Sequence, residues 1–256
     1  MKAAKLNKIL SVACPVLSLL VVAAVWYALY VKTGSEFLFP SIKTTLVRVW
    51  EYLGDPFFWK SLGFTLLRTL SSFGISLVLA VALGVLSWLF SPVKHALTPI
   101  IAILRAAPTV AIMVILSFLS TPKQAPIIVA TSVIFPMLYA SVISGLNQVS
   151  PKLVEMSRVY GVSKGKQITG LFLPTVAPYV VGESGAALSF SVKLTVSAEI
   201  LAYTYESLGG LIQSANVYID MAGLFALTLV SVVIAFALEL ALKLIARLLL
   251  KRGGAR

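Results

Sequence analysis

Charged residues are scarce in this 256-residue chain: Asp, Glu, Lys and Arg make up 12% of it, against 59% hydrophobic residues. A soluble domain is roughly one quarter charged, and the mean hydropathy is +0.98. These values exclude a water-soluble enzyme or binding module and define an integral membrane protein. There is one cysteine, Cys14, inside an apolar run. A lone cysteine closes no intrachain disulfide and builds no cysteine-based metal site. The single histidine, His95, sits beside Lys94 in a short polar break and reads as a surface residue. No catalytic set and no metal ligand set is expected. Acids number 9 against 21 bases, a net charge of +12. No base-reading motif and no basic groove interleaved with aromatics accompanies that excess, so nucleic acid is not an expected partner. The gathering of Lys and Arg on the cytoplasmic side of membrane proteins explains much of it.

What is abundant is apolar sequence of spanning length, about 20 residues. Such windows fall at roughly 10–31, 64–90, 94–119, 125–147, 175–201 and 222–249, which predicts six spans. The basic start, "MKAAKLNKIL", leads into a run too long for a typical signal peptide, so it is expected to stay as the first span. An outer segment, about 36–60, places Val47, Trp50, Leu53 and Phe57 at helical spacing and reads as an amphipathic interfacial helix. With the N-terminus inside, thirteen Lys and Arg fall on the cytoplasmic side, among them Lys2, Lys5, Lys8, Lys94, Lys152, Arg158, Lys164, Lys166, Lys243, Arg247, Lys251, Arg252 and Arg256. Five, namely Lys32, Lys43, Arg48, Lys60 and Lys123, fall outside. Both termini are therefore expected in the cytoplasm. Trp26, Tyr27, Tyr30, Tyr203, Tyr205 and Tyr218 fit an outer aromatic belt. The expectation is an all-α, polytopic, single-domain protein of the inner or plasma membrane, residues 1–256, with core spans over about 64–249.

The longest cytoplasmic loop, about 148–174, holds "EMSRVYGVSKGKQITGLFLP" (155–174). "GVSKGK" invites comparison with a phosphate-binding loop. That loop needs four residues between its glycines and Ser or Thr after the lysine, following a strand. Three residues separate Gly161 from Gly165, Gln167 follows Lys166, and no strand precedes. A nucleotide site is excluded there. Pro151 ahead and Gly161 behind instead bracket a short amphipathic helix, with Val154, Val159 and Tyr160 as a candidate apolar face.

Taken whole, the stretch resembles the cytoplasmic signature of binding-protein-dependent ABC importer permeases. Glu155, Gly161 and Leu173-Pro174 stand at the family spacing. Met156 and Ser157 replace two alanines, and Leu171 replaces an isoleucine. "LRAAPTVA" (104–111), "SAEILAYTYESLGGLIQSA" (197–215) and "FLFPS" (37–41) resemble the nitrate/sulfonate/taurine branch. Ser207 departs from a glycine and Val192 from a tryptophan, and "IMVILSFLS" replaces a Pro-Leu and a Trp-Phe-Gly. The resemblance implies a type I importer fold and a pathway formed with a second permease copy. It also implies a cytoplasmic ABC ATPase dimer that holds ATP and Mg, and an extracytoplasmic solute-binding protein. It assigns Glu155, Met156, Ser157, Gly161, Leu171, Leu173 and Pro174 to coupling with that ATPase. Glu155 would sit near the helix start, where the dipole favours a carboxylate. Lys164 and Lys166 would face either the ATPase or lipid headgroups.

Three cations fall within spans: Arg68, Arg105 and Lys193. Arg68, near a span start, is expected to snorkel. Arg105 lies mid-span, just before Pro108, and Lys193 lies mid-span in the fifth segment; Glu183 and Glu199 are possible partners. A charge there is costly unless paired or wetted. Ser189, Lys193 and Ser197 form one i, i+4 row, and Ser191, Thr195 and Glu199 another, about 200° away. A helix polar on both sides cannot face lipid broadly. The pathway candidates are therefore Arg105, Pro108, Ser189, Lys193, Ser197 and Glu199. The other reading is a buried network that only holds helices together. Lys193 in a pathway favours an anionic solute, nitrate-, sulfonate- or taurine-like, although related permeases also carry vitamin precursors. An ion-gradient-driven secondary transporter is the alternative, and a membrane anchor for an enzyme complex a third class.

Overall fold

A computed structural model describes residues 2–253, and it is helical throughout its regular elements. Arg256, and the side chains of Lys2, Lys5, Lys8, Arg247, Lys251 and Arg252, lie outside the described residues. Eleven α-helices follow one another: α1 Lys2–Thr33, α2 Ile42–Leu53, α3 Pro56–Leu89, α4 Ser91–Ala106, α5 Thr109–Leu119, α6 Ala125–Asn147, α7 Pro151–Val159, α8 Lys164–Gln167, α9 Leu173–Leu201, α10 Leu208–Val217 and α11 Met221–Gly253. Among the described residues, five helical runs are long and apolar enough to cross a membrane, and six if the bent α4–α5 pair counts as one.

Local sequence sets the boundaries. In "FLFPS" the Ser41 hydroxyl accepts the Thr44 N–H at 3.1 Å and starts α2. In "GDPFF" Asp55 accepts the Phe57 N–H at 2.9 Å, with Pro56 at the first helical position, so α3 starts there rather than near 64. The expected interfacial helix therefore ends at Leu53, and Phe57 belongs to α3. Trp50 and Val47 do form the exposed apolar face of α2. The third expected span is not one rod. Ala107 is extended, as the residue before a proline tends to be, and α4 and α5 meet at 102°. The expected loop to 174 is also shorter. From Lys164 the chain is helical, through a π turn at Ile168–Phe172, into α9. Pro174 has no N–H to give, and just before it the Leu173 N–H reaches back five residues to the Ile168 carbonyl.

The core lies where α3, α6 and α9 pack on one another, built on Val129, Ile134, Leu138 and Leu188. A second cluster, with Phe58, Leu208 and Leu227, ties α10 and α11 to α3 and α9. The ends of the bundle organise the rest. α7 and α8 cap one end. α2, α10 and the loops around them cap the other, where Arg48 binds Asp220 at 2.6 Å and Lys60 binds Glu206 at 2.6 Å. The Lys60 ammonium holds the half-buried Glu206 carboxyl below the usual carboxylate range. α1 stands largely off the bundle and is pinned near Trp26, whose indole donates to the Pro40 carbonyl at 3.0 Å and packs on Phe225.

Candidate functional site

The polar stretch at one end folds as a helix–turn–helix cap. Pro151 opens α7 and the left-handed Gly161 (φ +68°) closes it. The Val162 N–H reaches the Ser157 carbonyl at 2.9 Å and the Gly161 N–H reaches Arg158 at 3.0 Å. This Schellman pair satisfies carbonyls that the helix end would leave open. A Cβ on Gly161 would meet nothing within 4 Å, so the backbone angle alone demands glycine there. The Gln167 amide donates to the Val162 carbonyl at 2.8 Å and fixes α8 against the turn. Trp88, at the end of α3, packs edge-on against Phe172 at 5.3 Å and holds the π turn to the bundle.

No residue of α7 is buried. Leu153, Met156, Val159 and Tyr160 all point outward, Val159 at 80% and Tyr160 at 77% exposure. Val154 is half-buried, so the outward apolar row runs through Leu153 and Met156 instead of Val154. Ser157 turns its hydroxyl to the Val154 carbonyl at 2.7 Å. Glu155 is exposed on the second turn, past the first turn where the helix dipole acts most strongly. Leu171 is half-buried within the π turn, and Leu173 and Pro174 are exposed at the start of α9.

The two polar rows of α9 face different surroundings. The Ser191–Thr195–Glu199 row turns inward to α3, whose Thr65, Arg68, Thr69 and Ser72 are buried. Ser191 and Ser72 share a hydrogen bond at 2.9 Å. Glu199 is fully buried. It accepts from Arg68 at 2.8 Å, from the Thr65 hydroxyl at 2.9 Å and from the Gly209 N–H at 3.1 Å. The Leu208 N–H donates to Thr65 at 2.9 Å, so the start of α10 is capped by α3 and α9 together. A Cβ on Gly209 would lie 2.3 Å from the Glu199 Cβ, which explains the glycine at this crossing. Arg68 does not snorkel: it is buried and spends its charge on Glu199. The sequence offered Glu183 and Glu199 as possible partners of the intramembrane cations without assigning Glu199 to Arg68, whose expected place was at the interface, and it gave no sign of Thr65 and Gly209 as further partners. A hydroxyl at every turn of α3, in "SLGFTLLRTLSS", is the signal that marks that inward face.

The Ser189–Lys193–Ser197 row faces the other way, into a cleft of about 660 Å³ between α9 and α11 that also holds Ser231, Phe236 and Glu239. Lys193 is exposed there and makes no ion pair among the described residues. Its ammonium lies 5.9 Å from the Phe190 ring. Glu239 is taken by Lys243, one turn along α11. Arg105 lies elsewhere, in a cleft of about 540 Å³ beneath the α4–α5 break, lined by Thr109, Ser144, Tyr179 and Glu183 among others. Pro108 forms the break and is exposed. The six candidates thus separate into a closed knot at Glu199, a cleft with Ser189, Lys193 and Ser197, and a second cleft with Arg105 beside Pro108. Among the described residues no group of His, Cys, Asp and Glu could hold a metal ion.

A multi-pass bundle with charged clefts between its helices and an exposed helical cap at one end is the build of a membrane transport subunit. Comparison with known proteins identifies which kind. The family described as binding-protein-dependent transport system inner membrane component matches residues 72–252, and the chain belongs to it. It is an importer permease subunit of the inner membrane. The chain is 24% identical over 194 residues to the taurine transport system permease protein TauC of Escherichia coli, covering 75% of this chain and 70% of that protein. It is 26% identical over 190 residues to the nitrate import permease protein NrtB of Synechococcus elongatus, covering 70% and 67%. The glycine betaine transport system permease protein OpuAB of Bacillus subtilis is 26% identical over 188 residues, 73% of this chain and 62% of that one. A chain of a solved amino acid ABC transporter with histidines superposes with a TM-score of 0.60 at 15% identity, covering 77% of this chain and 94% of that chain, and so shares the fold.

Proposed function

We propose that two copies of this chain form the membrane pathway of an ABC importer for a small solute bearing an acid group, and that each copy presents α7 to one cytoplasmic ATPase. The carrying observation is α9: one polar row is closed against α3, and the other leaves the unpaired Lys193 in an open cleft. An intramembrane cation without a protein partner marks a solute path by default. The exposed row Leu153, Met156, Val159 and Tyr160 suits insertion into a groove of the ATPase, with Glu155 on its flank. The ATPase binds ATP and Mg, and an extracytoplasmic binding protein delivers the solute. On this reading α7 and both termini lie in the cytoplasm. The taurine, nitrate and glycine betaine assignments of the relatives support a small, acid-bearing or strongly polar solute. The test is ATP-driven uptake into proteoliposomes that hold permease, ATPase and binding protein. Lys193→Ala is expected to cut uptake at least about tenfold while the ATPase still co-purifies, since a charged hydrogen bond is worth about 1.5–3 kcal/mol. Unchanged uptake would remove Lys193 from the path.

A further inference from the structure

The cleft under the α4–α5 break contains both signs of charge. Arg105 and Glu183 line it together, from α4 and α9. Neither makes an ion pair among the described residues, so their charged atoms stand more than 4.0 Å apart. Opposite charges sharing one cleft attract. Here α4 ends at the break, and α6 lies in the wall between α4 and α9 with Ser141 and Ser144. The Ser141 hydroxyl is bound to the Tyr179 carbonyl at 2.8 Å, which fixes α6 to α9 just below Glu183. Arg105 and Glu183 thus line one cleft with no ion pair between them. The Lys193 cleft differs: its acid, Glu239, is already neutralised by Lys243, so it offers a net cation only.

We propose that this cleft binds solutes carrying an acid group and an amine on one small molecule, the acid toward Arg105 and the ammonium toward Glu183. The proposal rests on the importer reading above and narrows its solute from any acid-bearing molecule to a zwitterion. A bare anion would satisfy Arg105 and leave Glu183 uncompensated, with repulsion added. A zwitterion answers both charges and adds no net charge to the membrane interior. Phe190 also lines the cleft.

The experiment is solute binding to the permease–ATPase complex in lipid nanodiscs, read by ligand-observed NMR. The probes are β-alanine against propanoate, and 2-aminoethanesulfonate against ethanesulfonate; the members of each pair differ by the ammonium. The ammonium-bearing member is expected to bind about tenfold more tightly, the worth of one charged hydrogen bond. Glu183→Gln should erase that advantage and leave the plain anion's binding unchanged or improved. Arg105→Gln should weaken both members. Equal binding within each pair, no detectable binding, or an advantage that survives Glu183→Gln overturns the proposal. A lowered unfolding midpoint in both variants with discrimination unchanged also overturns it, and assigns the two charges to helix packing. ATP-driven uptake is measured in parallel. Intact uptake without discrimination removes the zwitterion alone; discrimination without uptake keeps the cleft's ligand and removes the coupling scheme.

Discussion

Single residues here are constrained for opposite reasons. Glu199 and Arg68 are buried together, and each is tolerable only because of the other. Removing one partner of a buried pair costs about 3–5 kcal/mol, whereas replacing both with apolar groups is often close to neutral. Arg68→Met is therefore expected to lower the unfolding midpoint in detergent sharply, and Arg68→Met with Glu199→Leu to recover much of the loss. A double variant no more stable than the single would show that the pair is not the dominant interaction at this knot. Gly209 and Gly161 form a second contrast. A methyl on Gly209 meets the Glu199 Cβ and the Val196 carbonyl, at 2.3 and 2.7 Å. A methyl on Gly161 meets nothing but is held at φ +68°, a cost of about 1–2 kcal/mol. Gly209→Ala should destabilise the whole bundle. Gly161→Ala should leave the bundle's midpoint unchanged and loosen only the α7 cap, seen as faster amide exchange at Val162.

At the scale of elements, α7 has the clearest expectation. It buries nothing within its own chain yet carries four outward apolar side chains over nine residues and a turn. Val159→Asp is expected to abolish co-purification of the ATPase without shifting the unfolding midpoint, because no contact inside the bundle is lost. Retained co-purification would remove α7 from the docking surface. The location of this element was legible in the sequence: Pro151, Gly161 and Leu173-Pro174 punctuate it, and Gly161 closes the helix as read. Its outward face was not. Period alone placed Val154 there, and in the structure that residue is half-buried. The broken α4–α5 span was half legible. Pro108 marked the place, but a proline inside an apolar run is equally compatible with a mild kink. The two polar rows of α9 were legible from i, i+4 spacing. Their destinations were not, because the closing partners of Glu199 come from α3, 131 and 134 residues away in sequence, and from the start of α10.

The whole molecule is polarised along its long axis. The α7 end carries Lys94, Lys152, Arg158, Lys164 and Lys166 against Glu155. The opposite end balances Lys32, Lys43, Arg48, Lys60 and Lys123 with Glu36, Glu51, Asp55, Glu206 and Asp220, three of these acids in direct ion pairs with bases. Orientation follows the bias in Lys and Arg and is nearly blind to acids. On the sequence count, thirteen Lys and Arg on the α7 side against five on the other, the α7 end should therefore remain in the cytoplasm. The chain's single cysteine makes the test clean: with Cys14→Ser as background, a new cysteine reports its own side alone. Tyr205 and Lys164 are both exposed, at opposite ends. In intact cells a membrane-impermeant maleimide is expected to label Tyr205→Cys and to spare Lys164→Cys until the membrane is opened. The reverse pattern would place α7 outside, where no ATPase could reach it. It would overturn the coupling scheme even if every contact within the bundle stood as described.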